Sequence, residues 1–220
     1  MEKNDNIIEI VSYTKMFKGV TVLKDINLNI RRGKCYGIVG RNGSGKTLIF
    51  KAICGFIRPT SGYVMVNGLK VGYDIDFPDN VGALIEQPGF LPNYSAFDNL
   101  KFLANIKNRI SNKEIEEVLK FVGLYPIDNK LVKKYSLGMK QRLGIAQAIM
   151  EDPEILILDE PFNGLDKGGV EDLKEKLAEL KSHGKTILMT SHIYQDMEEL
   201  SDYIYEVDNG SLVEFKRCTW

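Results

Sequence analysis

Residues 40–47 read Gly-Arg-Asn-Gly-Ser-Gly-Lys-Thr and fit the pattern G-x-x-x-x-G-K-[ST] of a phosphate-binding loop. The apolar run 35–39 precedes this loop and predicts a buried strand, and residues 48–54 can begin a helix. The pattern requires this setting, because its glycines let successive backbone N–H groups surround a polyphosphate at the positive end of a helix. A chance glycine-rich turn is the alternative, and the matching flanks argue against it. The stretch predicts a site for a nucleoside triphosphate.

The side chains of this loop have distinct expected roles. The Lys46 ammonium is expected to reach the β- and γ-phosphates, and the Thr47 hydroxyl to ligate Mg²⁺. The whole loop is predicted to contact the nucleotide, namely Gly40, Arg41, Asn42, Gly43, Ser44, Gly45, Lys46 and Thr47.

Composition restricts the class of protein. The chain has 220 residues, which suits one domain, and its 29 basic and 30 acidic side chains give a net charge of −1, so we expect no nucleic-acid partner. Cys35, Cys54 and Cys218 are far apart and form no C-x-x-C pair, which favours a reducing compartment over disulfides or zinc. No apolar stretch approaches the ~18 residues of a membrane span. We therefore expect a cytosolic protein whose membrane role, if any, requires a partner.

The first 87 residues are predicted to combine an antiparallel β-layer with the phosphate loop. Alternating apolar positions predict strands at 7–13 and 20–30, with a turn that carries an aromatic residue at 16–19. Residues 62–68 end in Asn67-Gly68, which predicts a hairpin, and 81–85 predicts a buried strand.

Residues 88–150 change character and predict an inserted helical subdomain. Ser111 and Glu114 form a capping box that opens one of its helices. Strands and helices then alternate, with strands at 155–160, 186–190, 203–207 and 211–215 and helices at 168–182 and 194–200. The predicted fold class is α/β, a RecA-like P-loop core with a parallel sheet, an antiparallel layer and a helical insertion. Residues 1–87 and 151–220 are expected to form the core and β-layer of this single domain.

Two acidic residues and a histidine lie at or just after the carboxyl ends of predicted strands. Asp159 comes after four apolar residues and is expected to hold Mg²⁺ opposite Thr47. Glu160 is expected to orient and deprotonate the attacking water, the alternative being a solvated acidic pair. His192 follows the next strand and is expected to meet the γ-phosphate, because the carboxyl ends of parallel strands line the ligand crevice. His183 is expected at an exposed helix end.

The stretch 135–142, Tyr-Ser-Leu-Gly-Met-Lys-Gln-Arg, precedes an apolar helix predicted at 143–150. A serine and a glycine at a helix start can form an anion site, and on spacing alone a plain helix cap is an equal alternative. Residues 163–166, Asn-Gly-Leu-Asp, form an ordinary turn unless their context assigns them more.

With these motifs, the chain resembles the nucleotide-binding subunit of an ATP-binding cassette (ABC) transporter along almost its whole length. The motifs occur in the order that is typical of that family. The resemblance implies that residues 135–139 are the family's signature, which comprises Ser136, Leu137, Gly138 and Met139. It implies that Ser136 and Gly138 bind the γ-phosphate held by a second subunit, and that Phe17 stacks on adenine. It further implies that Asp166 belongs to a loop communicating between two subunits, which enclose two ATP molecules.

The sequence departs from the family's pattern in the signature, in the loop before Pro88 and at Asn163, where serine is common. In the signature, Tyr135 replaces a leucine. Leu137 and Met139 replace a glycine and a glutamine of the signature. Alignment on Pro88 puts Glu86 where the family has a glutamine, with Gln87 one residue later. A carboxylate can still ligate Mg²⁺, so Glu86 joins Thr47 and Asp159 as an expected metal ligand.

The resemblance implies a Mg²⁺-dependent ATPase with ATP and Mg²⁺ as cofactors. The chain looks similar to the bacterial subfamily that exports bacitracin and lantibiotic peptides, with the membrane-spanning subunit in a separate chain. Such a subunit would work on the inner face of the cell membrane as a homo- or heterodimer. A soluble cassette ATPase acting on ribosomes or chromosomes is the rival interpretation, and a metabolic P-loop kinase is a third.

Overall fold

The computed structural model describes residues 5–87, 89–125 and 130–217. In chain order the strands are β1 (Asn6–Phe17), β2 (Val20–Arg31), β3 (Cys35–Val39), β4 (Ser61–Val66), β5 (Leu69–Lys70), β6 (Val81–Leu84), β7 (Ile155–Leu158), β8 (Thr186–Ser191), β9 (Tyr203–Asp208) and β10 (Ser211–Arg217). The α-helices are α1 (Lys46–Ile53), α2 (Ala96–Lys107), α3 (Asn112–Phe121), α4 (Leu137–Ile149), α5 (Lys167–Ser182) and α6 (Gln195–Glu198). None of the helices in this part of the chain combines the length and apolar character that a membrane crossing requires.

The antiparallel layer is a four-stranded sheet in the order β2-β1-β4-β5. Along β2, Ile26, Leu28 and Ile30 are buried and alternate with exposed residues, so one face of the layer packs inward. The predicted hairpin is confirmed, because Asn67 and Gly68 both have positive φ and join β4 to β5.

The second sheet has six strands in the order β10-β9-β3-β8-β7-β6. Strands β9, β3, β8, β7 and β6 are parallel to one another, and β10 pairs antiparallel with β9 at the edge. All residues of β3, β7 and β8 are buried, which explains the apolar runs at 35–39, 155–158 and 187–189. The carboxyl ends of β3, β6, β7 and β8 therefore meet along one edge.

Two hydrophobic cores cover the two faces of the parallel sheet. The layer core joins the antiparallel sheet, α1 and one face of the parallel sheet, and the helix core joins the other face to helices α2 to α5. Side chains alternate between them, so that Ile157 faces the layer core and Leu158 the helix core. Two cysteines are buried free thiols, Cys35 in the helix core and Cys54 in the layer core. Cys218 lies outside the described residues.

The predicted fold class is confirmed, while several predicted boundaries are wrong. Strand β1 continues through Met16 and Phe17, because both pair with the start of β2, and this leaves only residues 18–19 for the turn. Helix α4 begins six residues earlier than predicted, because Ser136 caps it, and α6 covers only 195–198. The helices predicted within 88–150 are present, but α4 packs into the same core as the parallel sheet. The division into core and helical insertion stays a prediction.

Candidate nucleotide site

The loop between β3 and α1 has the backbone that its glycines were expected to provide. Gly40, Gly43 and Gly45 have φ values of 151°, 79° and 113°, a region that side-chain-bearing residues rarely adopt. A Cβ on Gly40 would lie 2.5 Å from the carbonyl oxygen of Val207, so this position requires glycine. Helix α1 begins directly after the loop at Lys46, and its unpaired N–H groups therefore face the loop.

Lys46 is buried, with its ammonium inside the loop. Its side chain is 5% exposed, and Nζ donates to the carbonyl oxygens of Gly40 at 2.8 Å and Arg41 at 3.2 Å. A carboxylate oxygen of Glu160 lies 3.5 Å from the same Nζ. Ser44 Oγ is buried and has no hydrogen-bond partner among the described residues. Because buried hydroxyls seldom stay unpaired, Ser44 Oγ and the Lys46 cation suit the oxygens of a bound phosphate.

A cavity of about 480 Å³ opens beside the phosphate loop. Residues 41–45 form one wall, and the start of β2 and the turn between β9 and β10 form the others. Phe17 pairs with Val20 at the tip of the hairpin whose next residues line this cavity. Its ring is 43% exposed, with the Nζ of Lys15 4.8 Å from its centroid. The structure thus places an exposed aromatic ring on the hairpin that borders the cavity.

Thr47 and Asp159 meet at the carboxyl end of β7. The Thr47 hydroxyl donates to Asp159 Oδ2 at 2.8 Å, and the Thr190 hydroxyl donates to Oδ1 at 2.6 Å. Asp159 is 7% exposed, so both hydrogen bonds fix a buried carboxylate. No group of three or more His, Cys, Asp or Glu side chains in the described segments could hold a metal ion alone. Mg²⁺ commonly uses one or two protein oxygens together with substrate phosphates, so the Thr47–Asp159 pair fits that ion.

Glu160 connects three elements at the same sheet edge. Its backbone N–H donates to Thr190 Oγ1 at 2.8 Å, and its backbone carbonyl accepts a 3.0 Å hydrogen bond from Gln141 Nε2 of α4. Its Oε2 lies 2.9 Å from Nδ1 of His192, and its Oε1 faces Lys46. The φ of Glu160 is 49°, a strained value for a residue with a side chain. These contacts hold the carboxylate between the phosphate loop and His192.

Asp196 on α6 adds a further carboxyl group beside this pair. Partial burial raises its pKa, as does the nearby Glu160 carboxylate, whereas Lys174, the Ser191 hydroxyl and His192 act to lower it. The sequence analysis missed Asp196, Thr190 and Gln141. Thr190 could have been noticed as a polar residue that follows the apolar run 187–189 at the end of a predicted strand, but nothing in the sequence pairs Gln141 with residue 160.

The signature residues lie at the start of α4. Ser136 caps the helix, because its Oγ accepts a 3.2 Å hydrogen bond from the Met139 backbone N–H, and Ser136 itself is exposed. Leu137 is 55% exposed, whereas Met139 packs partly into the helix core. A Cβ on Gly138 would lie 2.8 Å from the Gly164 carbonyl oxygen. Ser136 therefore caps the helix and stays exposed. The two alternatives for this stretch, a helix cap and an anion site, are compatible.

Asp166 begins the helix that follows. Its Oδ1 accepts a 2.9 Å hydrogen bond from the backbone N–H of Gly169, which caps α5. A cavity of about 540 Å³ lies between this loop and the start of α4. It is lined by residues 123–125, 135–136, 138–139, 142 and 164–166.

Arg142 is another contact that the sequence analysis missed. Its Nη1 donates to the Val122 carbonyl oxygen at 2.7 Å and to Asp172 Oδ2 at 2.6 Å. It therefore joins the end of α3, helix α4 and helix α5. Partial burial works to raise the pKa of Asp172, but hydrogen bonds from Lys176 and Arg142 prevail and lower it.

Glu86 and Gln87 lie beyond the carboxyl end of β6. Glu86 Oε1 lies 2.5 Å from the Nζ of Lys51 on α1, and the Glu86 side chain is 61% exposed. Gln87 is exposed and lines a groove with Phe90 and Leu137. Pro88, on which the alignment of this loop rests, lies outside the described residues. In the structure, the Glu86 carboxylate therefore pairs with Lys51 and does not contact Thr47 or Asp159.

Sequence comparisons identify relatives along nearly the whole chain. A family profile described as ABC transporter matches residues 23–163. The uncharacterized ABC transporter ATP-binding protein YybJ of Bacillus subtilis is 44% identical, covering 94% of each chain. The bacitracin transport ATP-binding protein BcrA of Enterococcus faecalis is 42% identical over 94% of this chain and 68% of its own length. The lantibiotic transport ATP-binding protein SrtF of Streptococcus pyogenes is 39% identical over 94% and 89%.

Solved structures support the same assignment. The dimeric structure of MJ0796, a bacterial ABC transporter cassette, superposes with a TM-score of 0.87 at 26% identity, covering 97% of this chain and 99% of that one. A post-hydrolysis dimer of MJ0796 bound to ADP and Pi gives a TM-score of 0.86 at 25% identity over the same shares. ATP and Mg²⁺ are accordingly the cofactors. The resemblance inferred from the motifs is confirmed, and the chain belongs to the ABC transporter family as one of its ATP-binding and ATP-hydrolysing cassettes.

Proposed function

We propose that this chain powers the export of a peptide through a membrane-spanning subunit that is a separate chain. The observation that carries ATP hydrolysis, the driving step of this proposal, is the position of Glu160, whose carboxylate lies 3.5 Å from Lys46 and 2.9 Å from His192. A base at this place, next to a phosphate loop, can act on the water that attacks the terminal phosphate. The cassette thereby supplies the free energy of ATP hydrolysis to its partner.

The residues have the following proposed roles in binding. The backbone of residues 40–45 and the Lys46 ammonium hold the phosphates, while Thr47 and Asp159 hold Mg²⁺. Bound Mg²⁺ neutralises charge on the phosphate oxygens. The exposed Phe17 ring stacks on the adenine. Asp159 is oriented by its two hydroxyl partners, Thr47 and Thr190.

Glu160 is the proposed general base and His192 its positioning partner. One carboxylate oxygen accepts a proton from the attacking water as the water's oxygen bonds to the γ-phosphorus and the bond to the β–γ bridging oxygen breaks. The Nδ1 atom of His192 fixes the other oxygen, and Gln141 and Thr190 fix the backbone of Glu160. A positioned base of this kind is worth about 10²–10⁴-fold in rate.

Two copies of the cassette, or this cassette and a similar one, are proposed to complete each site. Ser136 and Leu137 are exposed, so the start of α4 is accessible to a facing subunit. The N–H groups at that helix start, together with the Ser136 hydroxyl, suit the γ-phosphate oxygens held by the partner. Support for a dimer comes from the dimeric cassette that this chain resembles.

The names of the relatives support three parts of the proposal, namely export, a membrane-spanning partner and a location at the membrane. BcrA and SrtF are described as bacitracin and lantibiotic transport proteins, and both align with 94% of this chain. By analogy, we place this cassette on the cytoplasmic face of the membrane, bound to a multi-span subunit. The substrate by the same analogy is a peptide of the bacitracin or lantibiotic kind.

The first experiment replaces Glu160 by Gln and measures ATP binding and phosphate release. We expect ATP affinity to persist and hydrolysis to fall about 10²–10⁴-fold, because the amide cannot take the proton. Glu175→Gln, on the exposed surface of α5, is the matched control and should hydrolyse ATP normally. Normal hydrolysis in Glu160→Gln would contradict the base assignment.

The second experiment traps the partner. The Glu160→Gln variant is purified from its native host with ATP, and the attached proteins are identified by mass spectrometry. A multi-span membrane protein supports the export proposal. Recovery of ribosomes or chromosomal DNA instead contradicts it and favours a soluble ABC ATPase.

A further inference from the structure

Glu86 lies at the same sheet edge as the proposed metal ligands. Strands β6 and β7 are parallel with Leu84 paired to Leu158, and the Asp159 N–H donates to the Leu84 carbonyl oxygen at 2.7 Å. Glu86 therefore comes two residues after the point where its strand meets the Asp159 backbone. Its φ of 58° is a left-handed value that turns the chain sharply at this residue.

Lys51 holds the Glu86 carboxylate against the helix that carries Thr47. Lys51 follows Thr47 by four residues within α1, so the two side chains share one face, with Cβ atoms about 5–6 Å apart. The Nζ of Lys51 lies 2.5 Å from Glu86 Oε1. Helix α1 thus presents a metal-ligating hydroxyl and, one turn later, a cation that already binds a carboxylate.

We propose that Lys51 is a positioning residue that competes with the divalent cation for the Glu86 carboxylate. Lys51 holds Glu86 one helical turn from Thr47, and the carboxylate exchanges this ammonium for the metal ion, or for water bound to the metal, when the metal–nucleotide complex binds. The proposal rests on the function proposed above, in which Thr47 and Asp159 hold that metal.

The charges favour this exchange over a merely structural ion pair. The Glu86 side chain is 61% exposed and that of Lys51 is 26% exposed, so little packing opposes movement of the carboxylate. A partly exposed lysine–carboxylate pair contributes little stability, whereas an oxygen anion is the ligand that Mg²⁺ prefers. In the absence of metal, Lys51 also offsets the repulsion between Glu86 and the nucleotide phosphates.

The test measures metal binding rather than activity. Mn²⁺ is titrated into each variant with a non-hydrolysable ATP analogue, and free Mn²⁺ is followed by electron paramagnetic resonance, with binding to the analogue alone subtracted. Glu86→Gln should weaken Mn²⁺ binding several-fold. Lys51→Met should tighten it about two- to fivefold, because the competitor is lost. Lys51→Arg retains a cation and should bind Mn²⁺ as the unaltered protein does.

The double variant separates competition from a general charge effect. With Glu86 already changed to Gln, Lys51→Met should no longer tighten Mn²⁺ binding, since there is no carboxylate to release. Lys113→Met is the matched control, because Lys113 is an exposed lysine paired to Glu117, and it should change nothing. Equal tightening by Lys51→Met in both backgrounds, or none in either, overturns the proposal.

Asp159→Asn distinguishes failure of this proposal from failure of the proposed function. If Asp159→Asn abolishes Mn²⁺ binding while Lys51→Met has no effect, the metal site stands and the competition is wrong. If Asp159→Asn leaves Mn²⁺ binding unchanged, the metal site itself is elsewhere, and both proposals fall.

Discussion

Gly138 approaches the Gly164 carbonyl oxygen so closely that a Cβ on Gly138 would lie only 2.8 Å from it. The signature stretch and the loop that ends at Asp166 are therefore packed together within one chain. A side chain at position 138 would displace the loop at 164 as well as alter the phosphate-facing surface. A test of subunit contacts must consequently use a neighbouring residue.

Ser136→Asp is that test. Aspartate caps helices as well as serine does, so α4 should remain intact. The added carboxylate would face the partner's γ-phosphate, and two like charges ~4 Å apart repel by about 4 kcal/mol at an effective dielectric near 20. We expect ATP binding by the monomer to survive, while ATP-driven dimerisation on a sizing column and hydrolysis are lost.

Ser111→Asp provides the control, because Ser111 caps α3 with the same geometry and lies outside the signature. It should dimerise and hydrolyse ATP normally. If Ser136→Asp also does so, Ser136 does not face a second nucleotide.

His192→Ala should slow hydrolysis about 10²-fold, with little change in ATP affinity. This is the lower end of the rate enhancement that a positioned general base provides. The reason is the 2.9 Å contact that fixes one oxygen of the Glu160 carboxylate. Single-turnover phosphate release measures the effect. His183→Ala, at the exposed end of α5, should behave as wild type. A loss confined to ATP affinity would assign His192 to binding instead.

Phe17→Ala should weaken ATP and GTP by about 1–3 kcal/mol each, because stacking on an aromatic ring hardly discriminates between bases. Inorganic triphosphate, which has no base, should bind equally well to both proteins. Isothermal titration with the three ligands makes the comparison. If triphosphate binding falls as much as ATP binding, Phe17 supports the β1–β2 hairpin instead of the base.

Asp172→Asn should destabilise the protein at neutral pH by breaking the contacts with Arg142 and Lys176. The pKa of Asp172 is lowered from 3.8 in the folded state, so its stabilising effect is complete above that value and declines as the pH falls through the folded-state pKa. Urea unfolding should therefore show a gap between wild type and variant at pH 7 that narrows below pH 3.8. A gap that is constant with pH would mean that packing, rather than charge, accounts for the loss.

The local motifs were predictable because each is determined by residues that are close together in the sequence. The strand, loop and helix around Lys46, the Asn67-Gly68 hairpin and the capping box at Ser111 all depend on near neighbours. The sequence analysis placed the start of α4 at Leu143 instead of Leu137, because the capping Ser136 and the following Gly138 are residue types that are also common in loops. Gln141, Arg142 and Lys51 could not be assigned partners, because those partners lie 19, 30 and 35 residues away in the sequence and meet only through packing.

The two buried cysteines allow the unfolding of this cassette to be followed by thiol labelling. Burial raises the pKa of Cys35 and of Cys54 to about 12 each, so neither thiol ionises at neutral pH inside the fold. Alkylating reagents attack the thiolate, and labelling must therefore wait until the surrounding packing opens. Cys35 lies in the helix core and Cys54 in the layer core, on opposite sides of the parallel sheet. The order in which the two become labelled as denaturant rises will tell which side of the molecule separates first.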